Sequence, residues 1–138
     1  MATVPLLNDE EAGAEALAVF DDIRAKRQTD YVNNFWRALA HDPATLKATW
    51  ERAQAVMAPG ALDPLVKELI YIAVSATNGC AYCVHSHTAS AKFKGMTPEM
   101  HAELLQVVAM ASRTNALAVA LGVPVDERFE AHSASKGD

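Results

Sequence analysis

The sequence contains little cysteine and no cluster of positive charge. It has 2 cysteines, 6 glycines and 6 prolines in 138 residues, and its formal net charge is −5. It has no run of lysine or arginine of the kind that attracts a nucleic-acid backbone or an anionic membrane surface. We therefore expect neither nucleic acid nor a membrane as a partner.

Targeting and membrane signals are also missing from the sequence. The opening MATVPLLNDEEAGAEAL has no basic segment followed by an apolar one, so it is unlike a secretory signal. We find no stretch that approaches the length needed to cross a bilayer. We expect a cytoplasmic protein. In that reducing compartment a close cysteine pair is more often catalytic, redox-sensing or metal-binding than structural.

The composition favours an all-α protein. Hydrophobic residues make up 51% of the chain and charged residues 21%, which is ordinary for a globular domain. Alanine, leucine, valine and methionine dominate, and this mixture favours helix over strand. We predict a single-domain bundle of about six helices over residues 1–124, followed by a polar tail over residues 125–138.

Several helix starts can be predicted from capping patterns. Asn8 and Glu11 form the pattern of a capping box for the first helix. Three dipeptides pair a capping side chain with a proline at the first helical position, namely Asp42-Pro43, Asp63-Pro64 and Thr97-Pro98. The predicted helices lie near 9–26, 32–41, 43–57, 63–77, 80–94 and 98–121.

The helix predicted at 63–77 is apolar around almost its whole circumference, which indicates a central position in the bundle. Glu68 interrupts that apolar run. A carboxylate there either reaches solvent or is buried, and a buried one needs a partner or a raised pKa.

Both cysteines lie close to a histidine, directly after an Asn-Gly break at 78–79. In a helix that begins near Cys80, Cys83 is rotated by roughly 60° from Cys80, and His87 by roughly 40° from Cys83. The three side chains then share one face, so the imidazole can take a proton from the Cys83 thiol. The first turn of a helix favours a thiolate, and the two sulfurs are near enough to form a disulfide.

Other interpretations of the same residues stay open. The cysteine pair and the histidine supply three of the four ligands of a zinc site, and Glu68, His85 or a second chain could supply the fourth. The cysteines could also be buried apolar side chains. His85 points roughly 160° away from Cys83, so we expect it to be structural or exposed. We favour thiol chemistry and assign no metal.

The spacing Glu68-x11-Cys80-x2-Cys83-x3-His87 resembles the signature of the alkylhydroperoxidase AhpD-like branch of the carboxymuconolactone decarboxylase superfamily. The segments VPLLNDEEAGAEALAVFDDI and LDPLVKELIYIAVSATNGCAYCVHSHTASAKFKGMTPEM are similar to that family's opening and core. The resemblance implies an all-α domain that assembles as a homo-oligomer, trimeric or hexameric, with the cysteine-bearing helix near a subunit interface.

The resemblance also implies a role for each residue. Cys83 would attack the O–O bond of an organic hydroperoxide, Cys80 would resolve the sulfenic acid to a disulfide, and His87 and Glu68 would relay the proton from Cys83. No bound cofactor is expected, and a dithiol protein or lipoyl domain would reduce the disulfide. Where the best-characterised members have a histidine between the cysteines, this chain has Tyr82, so the relay would depend on His87 and Glu68.

Two other functions remain as alternatives. A lyase of the carboxymuconolactone decarboxylase type would need an acid/base pair and no dithiol. A non-enzymatic oligomer would use the cysteine pair to sense redox state or to bind zinc.

Overall fold

The computed structural model describes residues 1–130, which form seven helices and no strand. The helices are α1 Ala14–Arg27, α2 Asn34–Leu39, α3 Pro43–Met57, α4 Pro64–Thr77, α5 Ala81–Phe93, α6 Pro98–Leu121 and α7 Glu127–Glu130. They divide into two compact units, one over Met1–Gly60 and one that begins at Ala61. The all-α prediction is confirmed. Of the predicted polar tail, residues 131–138 lie outside the described residues.

The three proline-linked caps open helices as predicted. Each capping side chain accepts a backbone N–H from the first turn: Asp42 from Thr45 at 3.1 Å, Asp63 from Leu65 at 2.8 Å and Thr97 from Met100 at 3.2 Å. Local chemistry alone determines these starts, because the proline fixes φ and needs no hydrogen-bond partner for its nitrogen. The predicted bounds of α3 and α6 are confirmed at both ends.

The first helix begins later than predicted. The backbone N–H of Asn8 donates to Glu11 Oε2 at 2.9 Å, and the Glu11 N–H donates to Asn8 Oδ1 at 3.0 Å, so the capping box does form. It closes an isolated turn, because Gly13 is extended, with φ −67° and ψ 163°, and interrupts the helical path. The predicted start at residue 9 is therefore wrong, and α1 begins at Ala14.

The first unit encloses an aromatic core. Phe20, Ile23 and Leu46 are fully buried, and the rings of Trp36 and Trp50 meet edge to face with centroids 5.3 Å apart. The remaining members of this buried cluster are Ala16, Val19, Val32 and Ala40. Burial of this apolar surface is the main stabilising contribution to the unit.

The second unit is built on α4, which packs against α5 and α6. Ile72 is fully buried between them, with Ala91 and Met96 beside it. The prediction of a central α4 is confirmed in part: α4 packs against both α5 and α6, but Val66, Ile70 and Val74 are 40%, 48% and 53% exposed. Part of the surface of α4 therefore presents apolar side chains to solvent in the described protomer.

The helix α6 has no fully buried residue, although Met100 and Leu104 are partly buried against the core of the second unit. By length and composition alone it could cross a membrane, so the expectation that no stretch approaches that length is wrong for α6. Polar residues interrupt the apolar runs of α6, so a search for continuous apolar segments does not find this helix. One such helix is weak evidence of a membrane span, because helices of protein cores have similar composition.

Candidate active site

The link between α4 and α5 positions the first cysteine. Gly79 has φ +70°, a conformation that other residues rarely adopt, and it turns the chain at the end of α4. The Cys80 N–H donates to the Ser75 carbonyl at 3.0 Å and the Gly79 N–H to the Ala76 carbonyl at 3.2 Å, which is the hydrogen-bond pattern of a Schellman motif. The backbone of Cys80 is thereby fixed to the last turn of α4.

Cys80 also caps α5. Its sulfur accepts the Cys83 backbone N–H at 3.2 Å, and the two cysteines form a disulfide with their Cα atoms 5.3 Å apart. Both residues are half-buried. The predicted first-turn position and the proximity of the two sulfurs are confirmed, because α5 begins one residue after Cys80.

Glu68 is the most constrained polar group in this unit. Its side chain is 4% exposed, and its two oxygens accept three hydrogen bonds from α5 and its C-terminal cap. His87 Nδ1 lies 2.7 Å from Oε2, and Ser90 Oγ and Lys94 Nζ donate to Oε1 at 2.7 Å and 2.8 Å. Lys94 Nζ also donates to Ser90 Oγ at 2.7 Å. These donors satisfy a carboxylate that would otherwise be buried at a high cost.

The protonation state of Glu68 follows from these contacts. Burial raises the pKa of the carboxyl group, but the hydrogen bonds from His87, Lys94 and Ser90 outweigh burial and lower the pKa from the ordinary 4.5 to about 2. Glu68 is therefore ionised at neutral pH and can only accept hydrogen bonds.

An ionised Glu68 determines the tautomer of His87. Because the carboxylate accepts, Nδ1 of His87 must carry the hydrogen, and a neutral imidazole then has its acceptor lone pair on Nε2. The ring of Tyr71 stacks on the imidazole, with centroids 3.5 Å apart and planes inclined by 19°. The hydrogen bond and the stack together fix the orientation of a ring that is 22% exposed.

The structure joins the four residues that the sequence singled out into two pairs. Cys80 joins Cys83 through the disulfide, and Glu68 joins His87 through the hydrogen bond. The roles of these four residues in catalysis stay predictions. His85 is exposed, in line with expectation.

Sequence reasoning missed three contributors, namely Tyr71, Ser90 and Lys94. A signal for two of them was present. Ser90 and Lys94 follow His87 by three and seven residues, so they continue the helix face that already carries Cys83. The signal for Tyr71 is weaker. Tyr71 lies three residues after Glu68 on α4, and side chains three residues apart are neighbours on a helix surface.

Within residues 1–130 no group of three or more His, Cys, Asp or Glu side chains is arranged to hold a metal ion. The zinc interpretation would need Cys80 and Cys83 as separate thiolates, whereas here their sulfurs are bonded to each other.

Comparison with known proteins agrees with the all-α fold and identifies the family. Residues 43–126 match the carboxymuconolactone decarboxylase family. The crystal structure of the alkylhydroperoxidase AhpD core from Rhodospirillum rubrum is similar with a TM-score of 0.90 and 59% sequence identity, over 94% of this chain and 97% of that one.

Two curated relatives match over shorter stretches. The alkyl hydroperoxide reductase AhpD of Solibacter usitatus is 39% identical over 71 residues, which is 51% of this chain and 38% of the relative. Uncharacterized protein 4 in the cox locus of Paracoccus denitrificans is 37% identical over 57 residues, which is 41% of this chain and 51% of the relative. The matches thus span about two fifths and one half of the length of these two relatives. The chain belongs to the carboxymuconolactone decarboxylase family, in its alkylhydroperoxidase AhpD-like branch.

Proposed function

We propose that the protein is a thiol-dependent peroxidase that reduces organic hydroperoxides with the Cys80–Cys83 pair. The observation that carries the proposal is the disulfide at the start of α5, four residues before a histidine held by a buried carboxylate. The similarity to a protein named alkyl hydroperoxide reductase supports the choice of substrate.

The reaction has two steps, an oxidation of Cys83 by the peroxide and a condensation of the oxidised sulfur with Cys80. The Cys83 thiolate attacks the terminal oxygen of the hydroperoxide, the O–O bond breaks, and the alkoxide leaves with a proton as the alcohol. Cys83 is then a sulfenic acid. The Cys80 thiolate attacks that sulfur, the hydroxide leaves with a proton as water, and the disulfide forms.

Glu68 and His87 supply the proton handling. His87, with its hydrogen on Nδ1 toward Glu68, accepts the Cys83 proton at Nε2 and later returns it to the leaving alkoxide. The negative charge of Glu68 stabilises the imidazolium formed in between, since the pair is then oppositely charged at 2.7 Å.

An external dithiol completes the cycle. It reduces the Cys80–Cys83 disulfide by thiol exchange and is itself oxidised, and a lipoyl domain or a dithiol protein has the required chemistry. A cytoplasmic location fits this requirement, because that compartment keeps such dithiols reduced.

The decisive experiment uses a Cys80→Ser variant. After reduction, one equivalent of cumene hydroperoxide should convert Cys83 to a sulfenic acid, because the resolving thiol is missing, and dimedone should then label Cys83 with one adduct by mass spectrometry. The wild-type protein should instead form the disulfide and take up no dimedone. Dihydrolipoamide should restore the thiols of the wild-type protein in stopped-flow traces.

A Cys83→Ser variant is the matched control, and it should consume no peroxide and take up no label. The proposal is wrong if Cys83 of the Cys80→Ser variant reacts with iodoacetamide no faster than a free thiol at neutral pH, because the geometry would then provide no activation.

We also propose that the protein acts as a homo-oligomer, trimeric or hexameric. The support is the surface of α6, where Val107, Met110 and Val119 are 66%, 59% and 82% exposed. Side chains of α4 and α6 also line a groove of about 520 Å³, which is mainly apolar but includes the polar residues Thr77, Ser112 and Asn115. A large exposed apolar surface with polar residues among it is typical of an interface with a second copy. Light scattering on the purified protein should give a mass of three or six chains, and a monomer would contradict this proposal.

A second candidate function is a lyase, favoured by the family match over residues 43–126. It would not need the disulfide. Turnover of a muconolactone by a variant with both Cys80 and Cys83 changed to serine would support the lyase function. If neither the wild-type protein nor this variant turns over the lactone, the lyase function is excluded.

A further inference from the structure

We propose that Lys94 is a positioning residue that holds the Glu68 carboxylate in place, so that Glu68 keeps His87 oriented toward Cys83. The inference deepens the proposed function and rests on it. Lys94 stands eleven residues after Cys83 at the end of α5, so it acts on the thiol only through the groups between them.

The contacts of Lys94 are directed at Glu68. Its Nζ donates to Glu68 Oε1 at 2.8 Å and to Ser90 Oγ at 2.7 Å, and Ser90 Oγ donates in turn to the same carboxylate oxygen at 2.7 Å. Nδ1 of His87 lies 2.7 Å from the other oxygen, Glu68 Oε2. The carboxylate thus lies between an ammonium group on one oxygen and an imidazole on the other.

This arrangement fixes the carboxylate. The ammonium of Lys94 and Oε1 of Glu68 form an ion pair at 2.8 Å, which leaves Oε2 directed at Nδ1 of His87. Without the ammonium, the buried carboxylate loses one of its three donors and can turn away from His87. An imidazole that Glu68 no longer orients would assist deprotonation of Cys83 less well near neutral pH, whereas at high pH the thiol ionises without a base.

The groups that face Glu68 are few. Among the described residues, its hydrogen bonds and ion pairs come from α5 and from Lys94, which caps the end of α5, and Tyr71 of α4 reaches the network by stacking on His87. The helix α6, which also packs on α4, has four titratable or charged groups, and none of them is hydrogen-bonded or ion-paired to Glu68: Glu99, His101, Glu103 and Arg113.

A simpler role for Lys94 is general stabilisation of α5, because a cation near a helix C-terminus interacts favourably with the helix dipole. Lys92 lies in the same last turn and is exposed. Replacing Lys92 by methionine therefore removes the same charge from the same helix end and leaves the Glu68 contacts intact, which makes it the matched control.

The test measures the alkylation rate of Cys83 by iodoacetamide from about pH 5 to about pH 9, in a reduced Cys80→Ser background where Cys83 is the one thiol. With Lys94→Met added, the rate near pH 6.5 should fall about tenfold and the difference should close toward pH 9, which corresponds to an upward shift of the profile by about one pH unit. Lys94→Arg and Lys92→Met should each stay within about twofold of the background at every pH.

Ser90→Ala is a second variant. It keeps the Lys94 charge but removes the hydrogen bond from Ser90 to Glu68, so it should shift the pH profile of the alkylation rate in the same direction by a smaller amount. Ser90→Ala also serves as the test if circular dichroism shows that the Lys94→Met variant does not fold. A loss that is equal at all pH values would assign Lys94 a structural role only, and an unchanged profile would show that Lys94 does not act on the thiol. Either result overturns the inference.

The two proposals fail in different ways. If Cys83 in the Cys80→Ser background is no more reactive than a free thiol, the peroxidase proposal fails. If Cys83 is reactive and Lys94→Met leaves its pH profile unchanged, only the role of Lys94 is wrong.

Discussion

Replacing Glu68 by glutamine should remove part of the loss in the free energy of unfolding that the protein undergoes at acid pH. The folded protein holds the pKa of Glu68 at about 2, against an ordinary 4.5. At about 1.4 kcal/mol for each pKa unit, the ionised carboxylate contributes about 3 kcal/mol to the free energy of unfolding at neutral pH.

The direction of the pH dependence follows from the lowered pKa. The contribution is fully present above the ordinary pKa of 4.5 and is lost as the pH falls through about 2. By pH 3 about 2 kcal/mol of it should be gone, because the unfolded chain binds the proton more tightly than the folded one. Glutamine cannot titrate, so the variant should lack this loss.

Urea unfolding followed by circular dichroism at about pH 7 and about pH 3, at one protein concentration, measures the effect. At pH 7 Glu68→Gln should unfold about 2–3 kcal/mol more easily than wild type, because Lys94 loses its ionic partner. Between the two pH values its stability should fall by about 2 kcal/mol less than that of wild type. Glu103→Gln removes an exposed carboxylate and should behave as wild type. An equal fall in wild type and Glu68→Gln would refute the assignment of the low pKa to this carboxyl.

Three further changes probe other parts of the chain. Tyr71→Leu should slow alkylation of Cys83 several-fold, because His87 loses the ring that orients it, whereas Tyr71→Phe should retain the rate; equal rates in both variants would contradict a role for the stack. Leu46→Ala, at a fully buried site, should lower the free energy of unfolding by about 2–5 kcal/mol in urea titrations, and a change under about 1 kcal/mol would contradict its place in the core. Val107→Asp on the exposed face of α6 should shift the light-scattering mass toward a single chain, and an unchanged mass would exclude this face as the interface.

The parts of the fold that could be predicted from sequence are those that local chemistry determines. The caps at Asp42, Asp63 and Thr97 form within a few residues of the chain, so their helices start where the pattern places them. The common face of Cys80, Cys83 and His87 follows from helix geometry alone.

The parts that could not be predicted depend on contacts between distant residues or on missing neighbours. Lys94 acquires its partner only when α4 lies against α5, 26 residues back along the chain. The capping box of Asn8 formed as its pattern indicates, but Gly13 decided that no helix follows it directly. The apolar circumference of α4 did not specify how much of that surface packs within the protomer, and Val66, Ile70 and Val74 stay exposed in it.

The short turn between α4 and α5 restricts how this chain can be altered. Because Cys80 is bonded to the final turn of α4 and also starts α5, one added or deleted residue there would rotate α5 by about 100° relative to α4. His87 would then swing away from Glu68, although both helices could still form. Insertions and deletions are therefore expected to disrupt the site when they fall in this turn, and the interval from Glu68 to His87 has to keep its present length.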